Sequence, residues 1–252
     1  MGSLEGRVAL VTGVSRRQGI GYAIAQRLAG LGADLFVQHH VAHDAERPWG
    51  ADSIEDVIAG IGGRVEHTGA DLALPDAPDR LVEAAVEAFG RVDVLVCNHA
   101  SSGPDGALGE LDAEKIDAHY AVNTRSSILL AQAFARQHDG APGGRVVFMT
   151  SGQNLGPMPG EIAYAASKGA LVGIMSTLSH QLIRQGITVN AVNPGPTDTG
   201  YAGEETREWV RERMPLGRWG QPDDAARLIS WLCTDDAEWI TGQVINSEGG
   251  FR

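Results

Sequence analysis

Cysteines and positive charges are both scarce in this sequence. Its two cysteines, Cys97 and Cys233, lie far apart and in no metal-binding spacing, so we expect neither a disulfide framework nor a metal site. Lys and Arg number 20 against 32 Asp and Glu, which gives a formal net charge of -12. A chain of that charge repels phosphate backbones and anionic lipids at long range. Nucleic acids and membranes are therefore not expected as partners.

The sequence also lacks long apolar runs and flexible linkers. No run approaches the roughly 18 apolar residues that a membrane span needs. Hydrophobic residues nevertheless make up 43% of the chain, which is enough to build a large core. No tract rich in Gly, Pro and Ser divides the chain. These absences predict a soluble, cytoplasmic protein with a single domain over residues 1–252.

Short apolar runs and helical periodicities alternate along the chain. Strand-like runs, most of them apolar on both faces, are Val8 to Val11, Leu35 to Val37, Val92 to Val96, Val146 to Met149, Ile187 to Val192 and Gln243 to Ile245, with a weaker run near Arg64 to Glu66. Helical patterns lie between them, at about 20–31, 51–61, 76–89, 112–137, 161–185 and 221–233. This alternation predicts an α/β fold: a single doubly wound Rossmann-type domain, with a parallel seven-stranded sheet and helices on both faces.

Two irregular segments, 39–50 and 198–221, interrupt this alternation. Both mix Gly, Pro, Trp and charged residues. Loops of such length in a compact domain are usually functional, as lids or binding segments. We therefore expect a lid over about 198–220.

The glycine-rich segment TGVSRRQGIG, residues 12–21, follows the first strand and opens the first helix. Gly13, Gly19 and Gly21 would let backbone N–H groups and the positive end of the helix approach a pyrophosphate. An ordinary tight turn between a strand and a helix has a similar composition. The loop alone is thus a weak indication of a dinucleotide site.

A second chemical group follows the apolar run Val146 to Met149. Tyr164 and Lys168 are four residues apart, so they share one face of a helix, where the ammonium could stabilise an ionised phenol. Ser151, just after the strand, could donate to the same substrate oxygen. These side chains suit acid and base catalysis on a carbonyl. A Tyr and Lys pair alone is more often a packing contact.

The chain resembles the short-chain dehydrogenase/reductase family over essentially its whole length. The resemblance rests on the order and spacing of its motifs: the glycine loop, Asp71-Leu72, Asn98, Asn123, Ser151, Tyr164-xxx-Lys168, Asn193-Pro194-Gly195 and Trp239 to Gln243. It implies an NAD(P)-dependent enzyme, similar to 3-oxoacyl-[acyl-carrier-protein] reductases, that transfers hydride between a nicotinamide and a ketone or secondary alcohol. It also implies a homotetramer paired through the two long helices.

The resemblance implies a role for each matched residue. Tyr164 would be the general acid/base, with its pKa lowered by Lys168. Ser151 would polarise the carbonyl, and Asn123 would hold a water of the proton relay. The implied cofactor-binding residues, beside Tyr164 and Lys168, are Gly13, Ser15, Arg16, Arg17, Gly19, Ile20, Gly21, His39, Asp71, Leu72, Asn98, Ala100, Pro194, Gly195, Thr197 and Thr199.

Cofactor choice depends on the end of the second strand. Family members that use NAD commonly place an acid there for the ribose hydroxyl, whereas this chain has Gln38-His39-His40. Without a carboxylate to repel a 2′-phosphate, and with Arg16 and Arg17 in the loop beside it, NADP (as NADPH) is favoured over NAD. Both arginines could instead be solvated on a lengthened loop.

Departures from the family pattern keep other functions open. Five residues separate Gly13 from Gly19, as in divergent enoyl reductases of the superfamily, but those place the lysine seven residues after the tyrosine, where this chain has Leu171. Carbonyl chemistry is therefore favoured over enoyl reduction, and a non-catalytic NADP-binding regulator is a further alternative.

The net charge does not favour docking of an acidic carrier protein. His99 adds bulk to the Asn98 motif and is expected to fill space beside the cofactor or substrate.

Overall fold

The structure is a computed structural model that describes residues 3–251. Its parallel strands are β1 (Val8–Val11), β2 (Asp34–His39), β3 (Val65–Gly69), β4 (Val94–Cys97), β5 (Gly144–Met149), β6 (Ile187–Asn193) and β7 (Val244–Asn246). They form a seven-stranded sheet in the order β3-β2-β1-β4-β5-β6-β7. The predicted doubly wound sheet of the Rossmann type is confirmed.

Helices connect the strands. They are α1 (Ile20–Gly30), α2 (Val41–Ala45), α3 (Ile54–Ala59), α4 (Ala77–Phe89), α5 (Ala113–His119), α6 (Ser126–Gln137), α7 (Ile162–Gly173), α8 (Met175–Leu182), α9 (Glu204–Arg213) and α10 (Pro222–Leu232). Within residues 3–251, no helix combines the length and apolarity that crossing a membrane requires.

Two of the predicted helices are interrupted in the structure, and both predicted irregular segments contain a short helix. The predicted helix over 112–137 has a π-helical middle turn, Tyr120–Arg125, between α5 and α6. The predicted helix over 161–185 divides at Ile174 into α7 and α8. Both irregular segments contain a helix, α2 in the first and α9 in the second. These two helices bury few residues, so they leave only a weak periodic pattern in the sequence.

The sheet separates two apolar layers, because successive side chains of a strand point to opposite faces. On β1, Ala9 and Val11 belong to the layer that contains Leu28 of α1 and Ile229 of α10. Leu10 belongs to the opposite layer, which is closed by α4 and α6. The predicted helices on both faces of the sheet are therefore present.

The strand order reverses between β1 and β4. The loops that follow these two strands consequently diverge and leave a crevice at the carboxyl edge of the sheet. The glycine loop follows β1, Asn98 follows β4, and Ser151 follows β5, so all three lie at this edge. The fold thus gathers the predicted dinucleotide loop and catalytic residues in one place.

Helix α1 packs closely against the loop that precedes it, and this contact can be tested. A Cβ on Gly21 would lie 2.5 Å from the carbonyl oxygen of Gly13 and 2.6 Å from Nδ2 of Asn98. We expect Gly21→Ala to lower the free energy of unfolding by about 1–3 kcal/mol, because that space is filled. Urea denaturation measures the change.

A second glycine of α1 provides the matched control. A Cβ on Gly30, the last residue of the helix, would meet no atom within 4 Å. Gly30→Ala should therefore be neutral or stabilising by about 0.5–1 kcal/mol, since alanine restricts the unfolded chain more than glycine. Equal stability of the two variants would contradict the packing argument.

Candidate active site

The glycine loop is folded around the side chain of Asn98. Gly13 has a φ of +73°, and a Cβ there would lie 2.9 Å from both Nδ2 of Asn98 and Cα of His99. Nδ2 of Asn98 donates to the carbonyl oxygens of Thr12 at 3.0 Å and Gly13 at 3.1 Å. These contacts join the loop after β1 to the loop after β4, across the crevice.

The N-terminus of α1 can accommodate an anion. Its N-cap is Gly19, which has no side chain to satisfy the first N–H groups, and its first turn holds no acidic residue. Gly19 and Ile20 both line the crevice. Free N–H groups and the positive end of the helix dipole are what a phosphate requires. The residues present therefore fit the pyrophosphate of a dinucleotide.

The crevice is a cavity of about 620 Å³. The predicted cofactor residues that line it are Gly13, Ser15, Arg16, Gly19, Ile20, Asp71, Leu72, Asn98, Ala100, Tyr164 and Thr199. Ser151 also lines it, so the cavity extends from the glycine loop to the predicted catalytic residues. An elongated groove of this volume suits a bound cofactor.

Other predicted cofactor residues lie beside this cavity and not in its lining. Gly21 is buried against the loop, as described above, and Lys168 is buried behind the cavity wall. Gly195 borders a second cavity, with φ +65° and Glu248 where its Cβ would be. The buried Thr197 donates to the carbonyl oxygens of Pro194 and Gly195, at 3.4 and 3.2 Å, and thereby stabilises that turn.

The two loop arginines point to different surroundings. Nη2 of Arg16 donates to the carbonyl oxygen of Thr199 at 2.8 Å, and its guanidinium lies 5.7 Å from the ring centroid of Trp49. Arg17 is exposed, and its backbone N–H donates to Asp52 at 2.7 Å. Arg16 lines the cavity whereas Arg17 does not. The predicted role of Arg17 in cofactor binding gains no support from this geometry.

The end of β2 presents different residues from those expected. Nε2 of His39 lies 3.2 Å from Nδ1 of His67, outside the cavity lining. The cavity is lined instead by Gln38 and by four residues that we did not predict as cofactor ligands, namely His40, His43, Asp44 and Trp49. The one available signal was the irregular composition of segment 39–50, which gives no orientation to individual side chains.

The side chain of Gln38 links the glycine loop to the segment after β3. Its Oε1 accepts from the N–H of Gly13 at 2.9 Å, and its Nε2 donates to the carbonyl oxygen of Ala70 at 2.7 Å. A carboxylate here could accept from Gly13 but could not donate to Ala70. The amide therefore fits this position for structural reasons, and it adds no negative charge beside the cavity.

Tyr164 and Lys168 lie on one face of α7, as their spacing predicts. Nζ of Lys168 is 5.8 Å from the Tyr164 ring centroid and donates to the carbonyl oxygen of Met149 at 2.9 Å. The lysine is 2% exposed, and burial lowers its pKa to about 8. Burial also raises the pKa of Tyr164 to about 12, against the opposing hydrogen bond with Ser151. The lowering of this pKa by Lys168 that the resemblance implies is therefore not found, because burial of the phenol dominates. The phenol is therefore neutral at pH 7 and able to donate a proton.

Asn123 is buried in the π-helical turn, with its side-chain hydrogen bonds directed to protein groups. Its Oδ1 accepts from the N–H of Ser101 at 2.7 Å. Its Nδ2 donates to the carbonyl oxygen of Ser101 at 3.0 Å and to Oγ of Ser167 at 2.9 Å. The side chain thus joins the loop after β4 to α7. Its role toward a relay water stays a prediction.

The ring nitrogens of His99 form hydrogen bonds in a buried network at the wall of the cavity. Nδ1 accepts from Oγ1 of Thr12 at 2.6 Å, and Nε2 donates to the carbonyl oxygen of Val122 at 3.0 Å. Burial, and to a smaller extent the charge of Lys168, lower the pKa of His99 to about 3. The imidazole is therefore a neutral brace between β1 and the π-helical turn, beside the cavity that it also lines.

The low pKa of His99 makes stability depend on pH. An unfolded histidine titrates near pH 6.5, so between that pH and about 3 the unfolded chain binds a proton that the folded protein excludes. His99 therefore lowers the free energy of unfolding by about 1.4 kcal/mol for each pH unit below 6.5. In His99→Gln this loss is absent, so stability should fall less steeply with acidification. Urea denaturation between about pH 7 and 5 measures both slopes, and parallel curves would contradict a neutral buried imidazole.

A second cavity of about 450 Å³ adjoins the first at Ser151, Met158 and Glu161. Its wall is largely apolar, with Leu155, Pro157, Pro159, Trp209 and Phe251 among the lining residues. Trp209 belongs to α9, so the predicted lid segment forms part of this wall. A cavity that opens beside Ser151 and Tyr164 is positioned to hold a substrate.

Comparisons with known proteins find relatives over almost the whole chain. A family model described as Enoyl-(Acyl carrier protein) reductase matches residues 13–252. The oxidoreductase YjdA of Bacillus subtilis is 44% identical over 253 residues, covering 100% of this chain and 99% of that protein. A 3-oxoacyl-[acyl-carrier-protein] reductase of Synechocystis sp. is 34% identical, with coverage of 99% and 98%. A short chain dehydrogenase from Burkholderia cenocepacia, solved in complex with NADP, is 38% identical with a TM-score of 0.87 over 98% of each chain.

The fold, the site and these similarities define one class of protein: the chain belongs to the short-chain dehydrogenase/reductase family. It is accordingly an oxidoreductase with the fold of NAD(P)-dependent dehydrogenases and reductases. Proteins with this fold bind a nicotinamide cofactor, and the residues that line the large cavity are compatible with one.

Proposed function

We propose that the protein is an NADP-dependent reductase of ketones, or a dehydrogenase of secondary alcohols in the reverse direction, with Tyr164 as general acid/base. The observation that carries this proposal is the position of Ser151 and Tyr164. Ser151 lines both cavities, and Tyr164 lines the first. A carbonyl carbon at that junction faces the cofactor cavity on one side and two hydroxyl donors on the other.

Each residue of the junction contributes a separate step. When bound, NADPH supplies the hydride. Ser151 donates a hydrogen bond to the carbonyl oxygen, and Tyr164, neutral because its pKa is raised, transfers its proton to that oxygen as negative charge develops. The Lys168 ammonium stabilises the phenolate that results, and with a pKa of about 8 it can itself lose and regain a proton near neutral pH.

The choice of NADP rests on the adenosine end of the large cavity. Arg16, His40 and His43 line this end, and Gln38 stands where a carboxylate would repel a 2′-phosphate. The NADP complex of the Burkholderia cenocepacia relative supports the same choice. Asp44 is an opposing charge in the lining, but one of its oxygens accepts from Nε1 of Trp49 at 2.9 Å. Asp71 also lines the cavity, and its Oδ1 accepts from the N–H of Ala73 at 2.8 Å. Because both carboxylates already accept hydrogen bonds within the protein, the arginine and the two imidazoles favour the additional phosphate.

Cofactor choice is tested by comparing kcat/KM for NADPH and NADH in Arg16→Ala. We expect the wild type to prefer NADPH and the variant to lose about 10-fold or more of that preference, as a charge-assisted contact is removed. Arg17→Ala, whose side chain lies exposed outside the cavity, should change the ratio less. A wild-type preference for NADH would contradict the proposal.

The second cavity favours an apolar ketone of moderate size over a carrier-bound thioester. The Synechocystis relative is named for a 3-oxoacyl-[acyl-carrier-protein] substrate. In this chain, however, the helix α9 at the mouth carries four glutamates and three arginines, Glu204, Glu205, Glu208, Glu212, Arg207, Arg211 and Arg213. Such a surface does not attract an acidic carrier protein.

Enoyl reduction is the second candidate, because the matching family model carries that description. The lysine expected for it, seven residues after the tyrosine, is replaced by Leu171, which is buried in the apolar layer of β5 and β6. Loss of NADPH absorbance with β-ketoesters, diketones and enoyl thioesters separates the alternatives. Turnover of the enoyl thioesters alone would favour the second candidate, and no turnover of any carbonyl would favour a cofactor-binding regulator.

The role of Tyr164 is tested by Tyr164→Phe. Removing the phenol oxygen should lower kcat by about 100-fold or more, because the proton donor is lost, while the Kd for NADPH stays nearly unchanged. Tyr201→Phe is the matched comparison, since Tyr201 lines the same cavity and should matter far less. Comparable loss of kcat in both variants would contradict a specific role for Tyr164.

The cytoplasmic location and the homotetramer stay predictions. Helices α5 and α7 carry the partly exposed apolar side chains Ile116 and Ile162, which is consistent with pairing through these helices.

A further inference from the structure

Asp105 lies in the loop between β4 and α5, and its carboxylate is 7% exposed. Oδ1 accepts from the N–H groups of Gly106 at 2.8 Å and Ala163 at 3.0 Å, and Oδ2 accepts from the N–H of Tyr164 at 2.8 Å. Helix α7 begins at Ile162, and its own N-cap residue, Glu161, makes no side-chain capping bond. The first turn of the helix that bears Tyr164 is therefore capped from a distant loop.

The peptide groups of Tyr164 are held on both sides. Its N–H donates to Asp105, and its carbonyl oxygen accepts from Oγ of Ser167 at 2.7 Å. Ser167 in turn accepts from Asn123, whose amide also holds both backbone groups of Ser101. The loop after β4 is thus attached to α7 at two points, one through Asn123 and one through Asp105.

His119, at the end of α5, completes the contact. Its side chain is 1% exposed, and its ring meets the Tyr164 ring edge-on, with centroids 6.1 Å apart and planes at 77°. Nε2 donates to the carbonyl oxygen of Pro104 at 3.2 Å and lies 3.6 Å from Oδ2 of Asp105. The ring of Tyr164 therefore has a fixed neighbour that is itself fixed by the Asp105 loop.

Building on the function proposed above, we propose that Asp105 is a positioning residue for the reduction. It lines neither cavity among the described residues, so it acts through Tyr164: it fixes the first turn of α7 and thereby the phenol oxygen beside Ser151. Without this carboxylate three N–H groups, two of them in the first turn of α7, lose their acceptor, and the positive end of the helix loses a compensating charge. The turn would then shift, and a displacement near 1 Å lowers turnover by about 100-fold.

The first experiment compares kcat in Asp105→Ala, Asp105→Asn and a control. Asparagine keeps one accepting oxygen, so it should restore part of the loss: we expect kcat to fall about 100-fold in Asp105→Ala and about 10-fold in Asp105→Asn. The control is Asp112→Ala, because Asp112 caps α5 through the N–H of Lys115 at 2.8 Å with the same chemistry, but at the exposed surface. Its kcat should stay within about 2-fold, and the Kd for NADPH should stay within about 3-fold in all variants.

The second experiment observes Tyr164 without turnover. The chain has four tyrosines, so ¹⁹F NMR of protein labelled with 3-fluorotyrosine gives few resonances, and Tyr164→Phe assigns the relevant one. We expect this resonance to shift or broaden in both Asp105 variants, while that of Tyr22 on α1 and the Asp112→Ala spectrum do not change. This readout holds even if the protein reduces no ketone, so it separates failure of positioning from failure of the proposed function.

Three results would overturn the proposal. One is a wild-type Tyr164 resonance in a folded Asp105 variant. Another is a changed resonance with unchanged kcat, in a protein that does reduce ketones. The third is an equal loss of kcat in Asp112→Ala, which would indicate general instability. If Asp105→Ala does not fold, Asp105→Asn decides by the same criteria.

Discussion

The hydrogen bonds of Asn98 fix the crevice in which the larger cavity lies. Its backbone N–H donates to Oγ1 of Thr12 at 3.0 Å, and its side chain donates to two carbonyl oxygens of the glycine loop. These bonds cross the point at which the strand order reverses, where the two loops would otherwise separate. They also explain the glycines, because the amide occupies the space that a Cβ on Gly13 or Gly21 would need.

Burial of titratable side chains is the second physical constraint at the carboxyl edge of the sheet. Burial raises the pKa of Tyr164 and of the Cys97 thiol, and it lowers the pKa of His99 and Lys168. Each shift favours the neutral form, since a dry site penalises charge. In the proposed reduction, the neutral phenol would retain its proton until negative charge develops on the substrate oxygen. The environment thereby suits an acid that acts on a developing alkoxide.

The sequence predicted the features that depend on local pattern. Buried parallel strands are apolar on both faces, so β1, β4, β5 and β6 were recognisable, and the Tyr164 and Lys168 spacing on a helix was correct. Contacts between distant segments were not predictable. Arg16 and Arg17 are adjacent in the sequence, and only the contact with Thr199 places the first in the cavity. The cap that Asp105 supplies to α7 likewise joins two segments that no local motif connects.

Arg16, in the lengthened glycine loop, connects the cavity to two neighbouring segments. Its guanidinium contacts the carbonyl oxygen of Thr199, at the start of the lid segment, and the ring of Trp49, in the segment after β2. A Cβ on Gly200 would lie 2.8 Å from Oε1 of Gln18. The lid segment therefore packs so closely against the glycine loop that a side chain at position 200 would not fit. An arginine has five N–H donors, so the bond to Thr199 leaves others available in a side chain that lines the cavity. Arg16 therefore both carries a positive charge at the cavity and contacts the lid segment.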